Sequence, residues 1–125
     1  MKYVLLAGSL ACASFASAQT EIKLEDISKH VGDSVKVCAK VVSSKYLNMT
    51  EGGPTMFYLG AAYPKQTLTL VVWKKDRKFF KAPPELTYAE QDVCAVGKIE
   101  LVGEKPQIVL YSEKQIQVKE EEDDQ

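Results

Sequence analysis

The sequence has little of what enzymes and metal proteins depend on. Its 125 residues hold one histidine, His30, and three cysteines. A single His excludes most His-based metal sites, and most Ser-His or Cys-His arrangements that need an imidazole beside a nucleophile, unless a partner chain supplies the missing groups. The sequence contains no Cys-x-x-Cys motif and no glycine-rich phosphate loop. Net charge is −1, so no blanket basic charge advertises nucleic acid. No apolar run is long enough for a membrane-crossing helix. What is present has the balance of an ordinary globular domain, 46% apolar and 26% charged.

The start of the chain carries an address. Met1-Lys2 is a short positive start, residues 3–13 (YVLLAGSLACA) are apolar, and Ala16-Ser17-Ala18 is an A-x-A cleavage signature. A signal peptide over 1–18 is therefore expected, leaving a mature chain from Gln19 that suffices for one small domain. Two alternatives are weaker. One is an uncleaved anchor; the other is a lipidated Cys12, against which Ser9-Leu10-Ala11 forms a poor lipobox. Export implies a periplasmic or secreted protein, in a compartment where disulfides persist.

Patterning of the remainder predicts mostly strands, with no internal repeat. Leu24, Ile27 and Val31 have helical spacing, ended by Gly32. Val35–Val41 alternates strictly and reads as strand one. Thr55–Gly60, Thr67–Trp73, Val93–Leu101 and Gln107–Tyr111 read as strands two to five. Ile116–Val118 either extends the fifth or forms a sixth piece. Lys74–Lys81 reads as a short helix stopped by Pro83-Pro84, and Ala61–Gln66 as a turn. Three strands, a short helix, then two strands suggest an all-β, five-stranded antiparallel OB-fold barrel with a short N-terminal helix, spanning 19–118. Residues 119–125 form an acidic tail with no apolar side chain to bury.

Three stretches carry a resemblance. They are His30-Val31-Gly32-Asp33-Ser34-Val35-Lys36-Val37-Cys38, Leu59-Gly60-Ala61-Ala62-Tyr63-Pro64, and Cys94-Ala95-Val96-Gly97-Lys98-Ile99 followed by Pro106-Gln107-Ile108. The segment from Leu24 to Val118 resembles small exported bacterial OB-fold proteins of the tRNA-anticodon-binding-like kind that carry no catalytic domain. More distantly, it is similar to periplasmic stress-related OB-fold proteins of enteric bacteria. Ala39 stands where such domains often have glycine. These motifs are glycines and strand patterns, so the resemblance implies a fold more than an activity; no cofactor is expected.

In an OB-fold the first strand pairs antiparallel with the fourth. Val35, Val37, Ala39 and Val41 form one apolar phase, and Val93, Ala95, Gly97 and Ile99 the other. Cys38 and Cys94 sit on the opposite phase of each strand, and setting them face to face also aligns the two core phases. A Cys38–Cys94 disulfide is the expectation, with two separate thiols as the alternative.

OB-folds take ligands on the face of strands two and three and in the adjoining loops. Phe57, Leu59, Leu68, Leu70 and Val72 take the core phase. Met56, Tyr58, Thr67, Thr69, Val71 and Trp73 are then expected outward, with Tyr46 near the mouth of the first loop. Trp73 is followed by Lys74-Lys75-Asp76-Arg77-Lys78-Phe79-Phe80-Lys81, in which five of eight residues are basic. Aromatics beside cations suit single-stranded nucleic acid, whose bases stack and whose phosphates attract charge. The candidate ligand-binding residues are thus Tyr46, Tyr58, Trp73, Lys74, Lys75, Arg77 and Lys78. The alternative is structural: Trp73 and a phenylalanine pack the helix on the barrel while the lysines are solvated. Fifteen Lys and Arg face twelve acids over 19–119, a net +3, so a mildly basic body precedes the acidic tail.

His30 is expected as a helix-end residue, Asp33-Ser34 as turn chemistry, and the tail lacks the fixed spacing of a calcium loop. Catalytic and metal residues are none. The reading is an exported binding module, with an envelope-protein interaction module as the alternative.

Overall fold

The computed structural model describes residues 20–119. The signal expected over 1–18 and the acidic residues 120–125 lie outside the described residues. The strands are β1 (Thr20–Ile22), β2 (Ser34–Tyr46), β3 (Thr55–Leu59), β4 (Leu68–Val72), β5 (Asp92–Val102), β6 (Lys105–Val109) and β7 (Ile116–Val118). The five expected strands are β2 to β6. β1 was not anticipated; β7 is the sixth piece, lying on β5 rather than extending β6.

Five strands close into a barrel in the order β2-β3-β4-β6-β5, with β5 pairing back onto β2. The expectation of an all-antiparallel barrel is corrected here. β4 and β6 pair in parallel, Leu70 against Ile108. The reason is parity: directions alternating around a closed ring return to their start only with an even number of strands, so a ring of five must hold a parallel pair. It falls at β4–β6 because β5 and β6 form a hairpin after the helical connection. β1 adds a second parallel pairing outside the ring, Ile22 against Val37.

β2 runs for 13 residues and belongs to two pairings. Ser34–Lys40 pairs with β5, while Val41–Tyr46 pairs with β3. A register shift between Val41 and Ser43 marks the changeover. Such an irregularity bends a strand, and it leaves Val42 exposed. The core is the expected phase: Val35, Val37, Val41, Phe57, Leu59, Leu68, Leu70, Val72, Val93, Ala95, Ile99 and Ile108 are buried together. Gly97 is needed for packing, since a Cβ there would stand 2.5 Å from Ile108 Cγ2.

Both expected stretches are short helices, and both are of the 3₁₀ kind. Leu24–His30 is a 3₁₀ helix that buries Ile27. Positions three apart stack in a 3₁₀ turn, so the Leu24–Ile27 spacing suits it as well as an α-helix. After β4, Lys74–Phe79 is likewise 3₁₀. Pro84 does not end a helix but starts one, α1 (Pro84–Thr87), at a first-turn position where proline's missing N–H costs nothing. Tyr88 at the end of α1 meets Phe57 edge to face, with centroids 5.9 Å apart.

Cys38 stands opposite Cys94, Val37 opposite Ala95 and Ala39 opposite Val93. The two cysteines are joined in a disulfide.

Candidate functional site

Trp73 is the first residue beyond β4, so the barrel fixes its backbone while its side chain sits at the rim. The loop 47–54 closes on itself through Leu47 N–H donating to the Pro54 carbonyl (2.8 Å) and Gly53 N–H to the Thr50 carbonyl (2.8 Å). It is pinned to the next segment by Lys74 N–H donating to the Gly52 carbonyl (3.1 Å). Gly52 lies against the indole: a Cβ at this position would fall 2.8 Å from Trp73 Cζ3, and its φ of +79° is left-handed. Only glycine meets both demands without displacement. The result is an open cleft of about 490 Å³ lined by Asn48, Thr50, Gly52, Trp73, Lys74 and Lys75. Trp73 is half-buried and both lysines are exposed. Lys75 Nζ lies 3.2 Å from the carboxylate of the buried Asp76. The cleft can offer an aromatic surface, two ammonium groups and the polar groups of Asn48 and Thr50.

Arg77 and Tyr46 stand apart from this cleft. The Arg77 guanidinium lies 3.8 Å from the Tyr46 ring centroid. It donates to Thr55 Oγ1 at 2.6 Å and to Glu85 at 2.8 and 3.3 Å. Burial alone would push the Glu85 carboxyl up, yet the Arg77 hydrogen bonds, a backbone hydrogen bond at Glu85 and the Arg77 charge together outweigh it and hold the group below its ordinary range. Arg77 thus joins the helical connection to β2, β3 and α1. Lys78 is exposed, its ammonium 5.4 Å from the Phe79 ring.

Tyr58 lies toward the other end of the sheet. It pairs with Thr69, four residues before Trp73, which is about 13 Å along an extended strand. The outer phase of β3 and β4 is less open than periodicity implies. Tyr58 is 5% exposed, Thr69 4% and Val71 0%, although Tyr58 and Val71 lie outside the barrel's core cluster. Val71 is paired with Met56 on one side and Val109 on the other, and Thr69 with Tyr58 and Gln107, so both are flanked by neighbouring strands. The Tyr63 ring completes the cover over Tyr58, with centroids 5.4 Å apart. Burial, with Tyr63 beside it, raises the Tyr58 phenol above its usual range.

The structure therefore brings Trp73, Lys74 and Lys75 together, sets Tyr46 and Arg77 in a separate cluster, and places Tyr58 elsewhere. The loop contribution from Asn48, Thr50 and Gly52 was not singled out from sequence; the pair Gly52-Gly53 before Pro54 was its one signal. His30 Nδ1 lies 3.2 Å from the Asp33 carboxylate at the surface. Among the described residues no group of three or more His, Cys, Asp or Glu could hold a metal ion.

No protein-family model matches the sequence, and no curated protein does. Solved structures do. The structure of yeast Stn1 and Ten1 matches with TM-score 0.59 at 15% identity, over 83% of this chain and 64% of that one. Asparaginyl-tRNA synthetase from Pyrococcus horikoshii matches with TM-score 0.52 at 10% identity, over 78% of this chain. The chain spans 22% of that synthetase's length. OBody AM1L10 bound to hen egg-white lysozyme matches with TM-score 0.53 at 15% identity, over 88% of this chain and all of the OBody. At such identities the likeness is one of fold, and the fold is an OB-fold barrel.

Proposed function

We propose that this chain is an exported, non-catalytic binding module that takes single-stranded nucleic acid, or a similar chain of anionic and flat groups, on the Trp73 cleft. The observation that carries this reading is the convergence of an indole held by Gly52 with Lys74 and Lys75 on one open cleft. Stacking on the indole suits any base, and ammonium groups suit phosphates without regard to sequence. Support for export comes from the A-x-A signature and from the Cys38–Cys94 disulfide, which suits an oxidising compartment. No helix among the described residues is long and apolar enough to cross a membrane.

The test is fluorescence anisotropy of a labelled mixed-sequence single-stranded oligonucleotide with the oxidised protein. Binding is expected to fall with added salt as counterions are released. Trp73→Ala should weaken it roughly tenfold, the scale of one stacked base. The double substitution Lys74→Ala and Lys75→Ala should flatten the salt dependence. Absence of binding at tens of micromolar protein in low salt would retire the reading.

A second reading is an envelope protein partner. It is favoured by Tyr63, Leu101 and Val102, which are large, apolar and exposed. The OBody bound to lysozyme is an instance of a matching barrel seated on a protein. Such a partner should bind with little sensitivity to salt.

A further inference from the structure

Between the β3–β4 connection and the β5–β6 hairpin lies a second pocket, of about 260 Å³, with Tyr58, Tyr63, Gln66, Thr69, Lys105 and Gln107 in its lining. Two of its polar groups are poorly satisfied. Gln66 is 8% exposed; its Nε2 donates to Thr69 Oγ1 at 3.0 Å, while its buried Oε1 accepts from nothing. A buried amide oxygen without a donor keeps its desolvation cost uncompensated. The Tyr58 hydroxyl donates only to the Met56 thioether at 3.4 Å, a weak acceptor. Lys105 donates to the Pro64 carbonyl at 2.8 Å and so ties the two connections together. Its ammonium carries two further donors.

We infer that this pocket is a nucleotide subsite, in which a base enters beside Tyr58 and Tyr63, an N–H of the base donates to Gln66 Oε1, and the attached phosphate is met by Lys105. The tyrosines supply flat apolar surface, and Tyr63 is exposed enough to swing aside and admit a ring. The lone acceptor calls for a ligand that donates. A cation would donate too, but Lys105 repels it; a neutral donor ring linked to an anion satisfies both. This deepens the proposed function and rests on it: the Trp73 cleft and the Tyr58 pocket would hold two separate units of one strand.

The test uses adenosine 5′-monophosphate and ribose 5-phosphate as probes, followed by NMR on the oxidised protein. The monophosphate should shift the Gln66 side-chain amide and the Tyr58 and Tyr63 ring resonances, and ribose 5-phosphate should leave the rings unmoved. Gln66→Met, with its melting temperature checked, should weaken this binding three- to tenfold, the scale of one hydrogen bond. Tyr63→Ala, at an exposed position that leaves the core intact, should weaken it similarly. Shifts confined to Trp73 would overturn the subsite while leaving the cleft reading standing. Oligonucleotide binding that fails altogether, with the monophosphate still bound at Gln66, would retire the strand reading and keep the pocket. Unchanged affinity in both variants would overturn the inference.

Discussion

Arg77 shows how a side chain read from sequence as a ligand contact can be engaged by the fold itself. In sequence it belongs to a basic run beside Trp73. In space its guanidinium is taken up by Tyr46, Thr55 and Glu85. This pairing makes stability pH-dependent. Glu85 has a folded-state pKa below its ordinary value of 4.5, so its contribution is present above that value and is lost as pH falls through the folded one. Glu85→Gln should cost about 1–2 kcal/mol at neutral pH, the scale of a charge-assisted hydrogen bond. Urea midpoints measured from pH 7 to pH 3 should show the gap between wild type and variant shrinking toward the acid end. A gap that stays constant would mean that the Arg77–Glu85 charge pair contributes nothing.

At the scale of elements, the disulfide joins the two longest strands, and its cysteines are 56 residues apart in sequence. Closing a loop of that length restricts the unfolded chain by roughly 4 kcal/mol in the entropic model. Replacing both cysteines by alanine should therefore lower stability by about 2–4 kcal/mol with the barrel retained. Equilibrium denaturation of the variant beside the oxidised protein measures this, and equal stabilities would contradict it. The pairing was legible in sequence because alternation fixes which side of a strand each residue faces, and two phases aligned at once. Alternation also placed Phe57, Leu70 and Val93 in the core. It did not reveal that Val71 and Thr69, on the opposite phase, are covered as well. Both residues stand between β3 and β6, and no periodicity within β4 encodes its neighbours. The two short helices were legible as helices but not as 3₁₀, because six or seven residues hold too few turns to tell a period of 3.0 from one of 3.6. The pairing of Trp73 with Gly52 was invisible because it joins positions 21 residues apart through loop geometry.

For the whole molecule, charge is segregated along the chain. Residues 19–119 carry a net +3, and Glu120, Glu121, Glu122, Asp123 and Asp124 reverse the balance. A terminus of that charge would compete with an anionic ligand for the same cations if the proposed binding holds. Removing residues 120–125 should tighten oligonucleotide binding by roughly threefold or more at low ionic strength, and the gain should vanish in high salt. Anisotropy titrations of both lengths at two salt concentrations decide it; equal affinities at low salt would leave the tail without this role. The ring of strands has a temporal consequence as well. β2 is paired on one edge by β3, which follows directly, and on the other by β5, which begins 46 residues after Tyr46. An N-terminal fragment ending before Asp92 therefore lacks the strand that pairs with Ser34–Lys40 and closes the ring. Folding of such a chain is governed by a late, non-local encounter and belongs to the slow, millisecond-to-second regime of non-local β topologies. The ring of a growing chain therefore cannot close until β5 is present, about three quarters of the way along the sequence.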